Sequence, residues 1–254
     1  MILLTVISSV VMLQFDWFGD AASDQAGPID TLFDVMVVLS CLVFSIVLVM
    51  FVYAIWKFRV KPGDESDGEP IHGNTRLEIA WTLIPTIIVL FGAGYSWVVL
   101  DDIEAKESDR MPLNVTAQQF KWTFEYPEFE VGKASDGAAQ YLTSNELHVP
   151  VDRQLELHMT ALDVLHSFWV PEWRIKRDLV PAGPGGDEID DDVVVTPSEE
   201  GTFSLVCTEL CGLGHATMRA PVIVESQEAF EAWAADESQA QAPAGGASAS
   251  NSGT

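Results

Sequence analysis

Two long uncharged runs in the first hundred residues decide what this chain can fold into. Val35 to Trp56 is 22 residues without a charge, and Ile79 to Leu100 is another 22. At about 1.5 Å of rise per residue each makes roughly 33 Å of helix, enough to cross a hydrocarbon core of about 30 Å. A pair of buried core helices is the competing reading, but core helices rarely run past about 18 residues without a charge. Pro85 falls inside the second run. It kinks a membrane helix rather than forbidding it. No Lys or Arg precedes Lys57, and four of the thirteen, Lys57, Arg59, Lys61 and Arg76, fall in the short connection between the runs. By the positive-inside rule that connection is cytoplasmic, and both termini and everything after Leu100 lie outside. The opening MILLTVISSVVML is apolar but too short to span, and it has no basic n-region. A signal peptide cleaved near Ala21 or Ala22 and a retained interfacial segment both fit it.

After Leu100 the pattern changes. Residues 101–111 are a charged linker, DDIEAKESDRM. Short runs rich in Val, Thr, Phe and Leu then alternate with turn residues at intervals of about ten, the pattern of a sandwich or small barrel. Strands are expected near 113–119, 121–126, 140–148, 154–160, 165–170, 192–196, 202–207 and 219–225, with breaks at Pro127, Pro150, Pro171, Pro181, Pro197 and Pro221. Gln227 to Ala235 reads as a short helix. Residues 238–254 lack the apolar content for a core and are expected to be disordered. The expected organisation is an outer leader at 1–30, a transmembrane hairpin at 31–100, the linker, a β-rich domain at 112–237 and the tail.

The formal net charge is −25, and from Asp101 onward 28 acidic residues face 9 basic ones, a net −19. Nucleic acid is therefore excluded as a natural partner. The acidic residues scatter along the outer domain, with a cluster at Asp187, Glu188, Asp190, Asp191 and Asp192. Scatter favours a generally hydrated, halophile-like acidic surface over a local docking patch for a basic partner.

Chemistry concentrates in Cys207-Thr-Glu-Leu-Cys211-Gly-Leu-Gly-His215-Ala-Thr-Met218. Two thiols, an imidazole and a thioether fall within twelve residues. Thiolate and thioether select copper(I), zinc or iron–sulfur clusters, and imidazole suits copper and zinc. Methionine argues against structural zinc and for copper, where a weak axial Met is a known tuning ligand. His166, in Asp163-Val-Leu-His166-Ser167, opens a strand about forty residues earlier, and a sandwich can bring that strand end beside the loop. His148 and His158 read as structural, and His72 lies in the cytoplasmic connection. Cys41 lies in the first apolar run and reads as packing. Because the domain is extracytoplasmic, a Cys207–Cys211 disulfide is the competing reading of the motif. A mononuclear blue-copper site would need one Cys. Two thiolates can instead bridge two coppers, with one histidine capping each metal, which suits an electron relay more than a catalyst.

These residues resemble subunit II of the haem–copper cytochrome c oxidases from about residue 31 to 233. The motif C-x-E-x-C-G-x-G-H-x-x-M is matched in full, DVLHS at 163–167 matches the second ligand segment, and Glu78-Ile-Ala-Trp81-Thr-Leu-Ile-Pro85 matches the opening of the second helix. The resemblance implies a membrane-anchored α+β protein with a two-helix transmembrane hairpin and a Greek-key, cupredoxin-like β-sandwich. It implies a binuclear copper A centre of two coppers bridged by Cys207 and Cys211. His166 and Met218 complete one copper, and His215 and the Glu209 carbonyl complete the other. The Glu209 carboxylate is implied to face subunit I and a magnesium ion there. Glu78 matches a glutamate near a proton path, its other reading being a helix N-terminal charge. The implied partners are the haem-bearing subunit I, other oxidase subunits, membrane lipid, and a cytochrome c or small blue-copper donor. The implied place is the cell membrane, in an oxygen-reducing, proton-translocating respiratory complex.

Two departures from the family pattern stand out. In Gln118-Gln119-Phe120-Lys121-Trp122-Thr123-Phe124, Phe120 stands where many members carry the tryptophan that receives electrons, and Lys121 replaces a tyrosine. Pro181-Ala-Gly-Pro-Gly-Gly stands where many have Pro-Gly-Arg. In a salt-loving source, molar salt cuts the Debye length to about 3 Å. The expectation is then a short-range, partly apolar docking site using Phe120 and Trp122. A membrane-tethered copper-delivery protein would instead carry a thioredoxin-like α/β domain and a single anchor, a quinol oxidase subunit would lack the ligands, and a metal-free structural subunit would carry the disulfide.

Overall fold

The computed structural model describes residues 1–60, 62–63, 68, 70–181 and 192–242. Lys61, most of the Pro181-Ala-Gly-Pro-Gly-Gly stretch, the cluster Asp187, Glu188, Asp190 and Asp191, and residues 243–254 lie outside the described residues. The chain forms two compact units, Met1–Trp17 with Gly27–Ile103, and Phe18–Ala26 with the chain from Glu104 onward.

The first unit holds three helices, α1 (Ile2–Met12), α2 (Ala26–Lys57) and α3 (Thr75–Ile103). Helices α2 and α3 are long and apolar enough to cross a membrane. Their apolar side chains are not a soluble core, since Phe44, Met50, Trp56, Trp81 and Ile87 are each more than half exposed. That rules against buried core helices. Helix α3 starts where Asn74 Oδ1 accepts the Arg76 and Leu77 amides, while Glu78 Oε1 accepts the Asn74 amide at 3.2 Å. Asn74 and Glu78 thus satisfy orphan donors of the first turn. Pro85 sits within α3.

The second unit is a Greek-key sandwich of two five-stranded sheets. One sheet is ordered β3-β2-β1-β5-β8 and the other β4-β10-β9-β6-β7. In chain order the strands are β1 (Met111–Gln118), β2 (Lys121–Lys133), β3 (Ala139–Ser144), β4 (Leu147–Pro150), β5 (Leu155–Ala161), β6 (His166–Val170), β7 (Ile175–Leu179), β8 (Val193–Val195), β9 (Gly201–Cys207) and β10 (Arg219–Glu225). Pairings β1–β5 and β4–β10 are parallel, and the other pairings are antiparallel. Alternate residues of β1 and β2 point inward, so Leu113, Val115, Trp122, Phe124 and Tyr126 meet Phe168, Val170, Leu205 and Val222 of the other sheet in one core. This is a two-sheet β-sandwich, as the resemblance implies, not a thioredoxin-like α/β domain. Helix α4 (Gln227–Gln241), capped by Ser226, lays Phe230 and Trp233 over Tyr126 and His148. That cover buries β4 on both faces, which is why its LHVP sequence shows no alternation.

Several expectations need correcting. The run 140–148 is two strands in different sheets, β3 and β4. Strand β2 passes through Pro127 because its pairing with β3 slips between Tyr126 and Glu130, so no ladder bond is asked of the proline. Pro221 does not break β10, since pairing to β4 begins only at Val222. Strand β7 was not expected: three of its five residues are charged, as befits the edge strand of its sheet, and only Ile175 and Leu179 face the core. Helix α4 continues through residues 238–241, part of the expected disordered tail.

The largest correction concerns the leader. Residues 18–26 are built into the sandwich. The Ala22 amide donates to the Glu172 carbonyl at 2.8 Å, Ser23 Oγ to the Trp173 carbonyl at 2.9 Å, and the Asp24 amide to the Thr196 carbonyl at 3.0 Å. Ala22 and Ala26 are fully buried. Arg174, in the left-handed region at φ 60°, reaches the carbonyls of Phe18, Gly19 and Asp20 at 2.9–3.3 Å and lies over the Phe18 ring. Arg174→Ala is expected to cost about 2 kcal/mol, the worth of charge-assisted hydrogen bonds to a segment that must otherwise order itself. Amide exchange of the full-length chain checks this. Residues 18–24 should exchange faster while β5 keeps its protection.

Beside β5, Glu156 is clamped between Lys106 Nζ and Arg110 Nε, each at 2.7 Å. Hydrogen bonding from Lys106, with Arg110 helping, holds the Glu156 carboxyl below its usual 4.5 against the opposing effect of burial. Its folded-state value is depressed, so the unfolded chain binds the proton more readily. The clamp's stabilisation is therefore present above pH 4.5 and is lost as pH falls through the lower folded value. Thermal melts between pH 6 and pH 3 should show wild type losing more stability than Glu156→Gln below about 4.5.

Candidate metal centre

Sheet pairing brings the ligand segments together. Strand β6 opens on His166 and pairs antiparallel with β9, which ends on Cys207, in a register that sets Phe168 opposite Cys207. Strand β10 begins one residue after Met218 and returns beside β9. The loop 208–218 therefore starts and ends at the same edge of the sandwich, next to His166. It is closed by the Cys207 amide on the Met218 carbonyl and the Thr208 amide on the Ser167 carbonyl, both at 3.1 Å.

Within this loop the donors converge. Cys207 Sγ lies 3.8 Å from His166 Nδ1, 3.9 Å from Cys211 Sγ and 3.4 Å from the Glu209 carbonyl oxygen. Cys211 Sγ lies 3.7 Å from His215 Nδ1 and 3.8 Å from Met218 Sδ. His166 and Met218 are fully buried and each cysteine is 3% exposed, whereas His215 stands nearer the surface in a single 3₁₀ turn. Both thiols are free, with sulfurs nearly twice as far apart as the roughly 2.05 Å of a disulfide. The disulfide reading is therefore not the arrangement present. Burial pushes the Cys211 thiol up to about 11, and the neighbouring Cys207 adds to the rise. Two thiols, two imidazole nitrogens, a thioether and a carbonyl form a compact, soft-to-borderline donor set that fits copper. They are arranged around the pair of sulfurs, with one histidine on each side.

Positions expected from sequence divide into those the fold brings together and those it does not. His166, Cys207, Glu209 through its carbonyl, Cys211, His215 and Met218 converge. Phe120 joins them from the other sheet. A Cβ added at Gly214 would lie 2.5 Å from its ring, so only glycine lets the ring rest on the loop. Phe120 remains 40% exposed. Trp122 is a correction. It is 1% exposed and cannot form a docking surface, and its ring instead sits edge-on to His166 and Phe168 in the core. Alternation alone would put residues two apart on one face. The split arises because Phe120 lies in the β1–β2 turn, before the strand begins, and Trp122 is the first inward residue of β2. Glu78 is engaged at the N-terminus of α3. His148 stacks on Trp233 at 4.0 Å, and His158 pairs with Asp192 at 2.5 Å, both structural contacts. Asp163 and Gln119 were missed. Asp163 Oδ1 lies 2.9 Å from His166 Nε2, and the Gln119 side-chain amide donates to the Cys211 carbonyl. A carboxylate three residues before a ligand histidine was the available signal for Asp163. Leu162, Leu165, Leu210 and Leu213 are exposed on the same loops as the donors.

Comparison with known proteins agrees in both units. The family described as the cytochrome C oxidase subunit II transmembrane domain matches residues 8–99, and that described as the subunit II periplasmic domain matches residues 111–227. The chain is 30% identical to a cytochrome c oxidase subunit 2 from Synechocystis sp., over 96% of this chain and 82% of the relative. A namesake from Thermostichus vulcanus is 29% identical over 91% and 82%. Among solved structures, the periplasmic domain of subunit II of cytochrome oxidase from Bradyrhizobium japonicum is 24% identical, with 53% of this chain and 96% of that one covered and a TM-score of 0.42.

Proposed function

The chain belongs to the cytochrome c oxidase subunit II family, and on that premise we propose that it is the subunit through which electrons enter, by way of a binuclear copper A centre. As a member of that family it is part of a haem–copper terminal oxidase, an oxidoreductase held in a membrane with its sandwich on the extracytoplasmic side. The observation that carries the finer reading is the pair of free, buried thiols 3.9 Å apart, with His166 beside the Cys207 sulfur and His215 and Met218 beside the Cys211 sulfur. One sulfur donor would serve a mononuclear centre, and two adjacent ones can be shared by two metals. Copper held by these thiolate, imidazole and thioether donors would supply a site that takes up and passes on one electron.

What the chain supplies is a dry, pre-shaped seat. Burial of His166, Met218 and both cysteines keeps water away from the sulfurs, and strands β6, β9 and β10 fix His166, Cys207 and the two ends of the loop that carries Cys211, His215 and Met218. Phe120 is the exposed aromatic that touches the loop, so a donor docking there comes closest to the centre through it. The exposed leucines of the same loops supply an apolar rim that works at high salt, where long-range steering of a basic donor is lost. The donor is a cytochrome c or a small blue-copper protein, and the acceptor is haem in subunit I. Glu209 would direct its carboxylate to a magnesium ion at that subunit, and Glu78 would add to its cap role a place near the mouth of a proton path. Lys57 at the end of α2, Arg59 just after it and Arg76 at the start of α3 support a cytoplasmic connection with both termini outside.

The test is direct. The full-length chain, purified in detergent and given copper under reducing conditions, should take up two coppers and, after mild oxidation, show a mixed-valence binuclear EPR signal. A colourless, metal-free product, or one copper with a mononuclear signal, would overturn the proposal.

A further inference from the structure

One residue of the β1–β2 turn reaches both ligand-bearing segments, although it belongs to the opposite sheet. The Gln119 backbone amide donates to Asp163 Oδ2 at 2.8 Å. Asp163 Oδ1 lies 2.9 Å from His166 Nε2 and accepts the Val164 amide at 2.7 Å. The Gln119 side-chain amide donates to the Cys211 carbonyl. We infer that Gln119 and Asp163 are positioning residues for the metal centre, a two-part clamp that aims the His166 imidazole and seats Cys211 from outside the ligand set. The inference rests on the copper reading above.

The chemistry of each bond supports this assignment. An ionised carboxylate only accepts, so the imidazole nitrogen facing Asp163 must carry the proton. That leaves the Nδ1 lone pair directed at the side where Cys207 Sγ stands, the tautomer a metal ligand needs. A carboxylate behind a ligand imidazole also makes the ring a stronger donor, which favours the oxidised metal and lowers the potential. Cys211 is held by a different kind of contact. Its carbonyl is fixed by Gln119 just before Gly212, which adopts φ 133°. A Cβ at Gly212 would lie 2.9 Å from Gln119 Nε2, so glycine at that position is what admits the clamp. Phe120 follows directly and rests on Gly214. The turn that presents the exposed aromatic to a donor is thus tied to Cys211 directly and to His166 through Asp163. Both clamp residues stand at the exposed rim, while the His166 they aim is fully buried.

The experiment uses the full-length chain in detergent, wild type beside Asp163→Asn, Gln119→Ala and Gln119→Glu. Copper affinity is read by chelator competition, the site by EPR, the reduction potential by voltammetry, and the fold by melting of the copper-free protein. Asp163→Asn keeps the size but replaces the charge. It should weaken copper binding about 10–100-fold, the usual cost of losing an outer partner, and should raise the potential. Gln119→Ala should weaken binding in the same range. Gln119→Glu, which sets an acceptor against the Cys211 carbonyl, should do no better than Gln119→Ala. Copper-free melting should fall only slightly in all three, through the lost hydrogen bonds, and by less than the loss of copper affinity requires. Variants that match wild type in affinity, spectrum and potential would overturn the inference and leave the copper reading standing. So would a loss of affinity fully accounted for by a drop in copper-free melting. A wild-type chain that takes up no copper would overturn both.

Discussion

Cys207→Ser is expected to abolish the binuclear signal outright. The full-length variant should hold at most one copper, and an oxidase assembled with it should oxidise its donor at under about one-hundredth of the wild-type rate, a larger loss than removal of an outer partner brings. The expectation follows from the position of one atom. Cys207 Sγ is within 3.9 Å of His166 Nδ1, Cys211 Sγ and the Glu209 carbonyl oxygen. It is thus the point through which the His166 side and the Cys211 side of the site communicate. A serine hydroxyl is a hard donor and does not replace a bridging thiolate for copper. The copper-free fold should barely notice the change, at about 1 kcal/mol, since the hydroxyl can find the Glu209 carbonyl. Metal counting, EPR and copper-free melting on the same preparation separate loss of ligand from loss of fold. Acidity bears on the same site. Because the Cys211 thiol lies near 11, copper must displace its proton, so loading should weaken as pH falls. A variant that kept two coppers and the wild-type spectrum would remove Cys207 from the ligand set.

How much of this could be read in the chain follows from how local each signal is. The membrane helices are written as unbroken apolar runs, and the ligand loop packs its donors into twelve residues, so neither needs the fold to be recognised. His166 was reachable because strand ends in a sandwich gather at its edges. Other features depend on pairings between distant residues. Strand β7 hides behind Lys176, Arg177 and Asp178, because an edge strand keeps charges on its open side. The strap at 18–26 carries no apolar run. Its hold comes from backbone carbonyls meeting Arg174, from the Ala22 and Asp24 amides meeting the Glu172 and Thr196 carbonyls and from Ser23 Oγ meeting the Trp173 carbonyl, all far away in sequence, and no periodicity records that. The Gln119 bridge is equally silent, since it combines a turn amide and a side-chain amide that have no common sequence pattern. The aromatic strand shows the opposite failure. Phe120 and Trp122 look alike in sequence, and only the start of β2 at Lys121 tells which faces out.

That difference sets up a second large effect. Trp122→Ala should destabilise the sandwich by about 3–5 kcal/mol, the cost of emptying a large aromatic site in a packed core. Trp122 is 1% exposed, and its ring lies 6.1 Å from Phe168 and 6.3 Å from His166, both edge-on. The space it leaves adjoins a proposed ligand, so copper affinity should fall together with the denaturation midpoint. Phe120→Ala should do the reverse. The ring is already 40% exposed and covers Gly212 and Gly214 from outside, so the denaturation midpoint should move little. Donor oxidation should slow by about tenfold or more, since a hot-spot aromatic at an interface is worth upward of about 1.4 kcal/mol. Denaturant melts and steady-state donor oxidation, each run at low and at molar salt, distinguish the two residues. An apolar contact at Phe120 keeps its effect in molar salt, whereas a contact governed by charge fades once the Debye length falls to about 3 Å. Equal loss of stability in both variants would place Phe120 in the core. A Phe120→Ala oxidase with wild-type turnover at both salt concentrations would move the donor's docking site elsewhere on the sandwich.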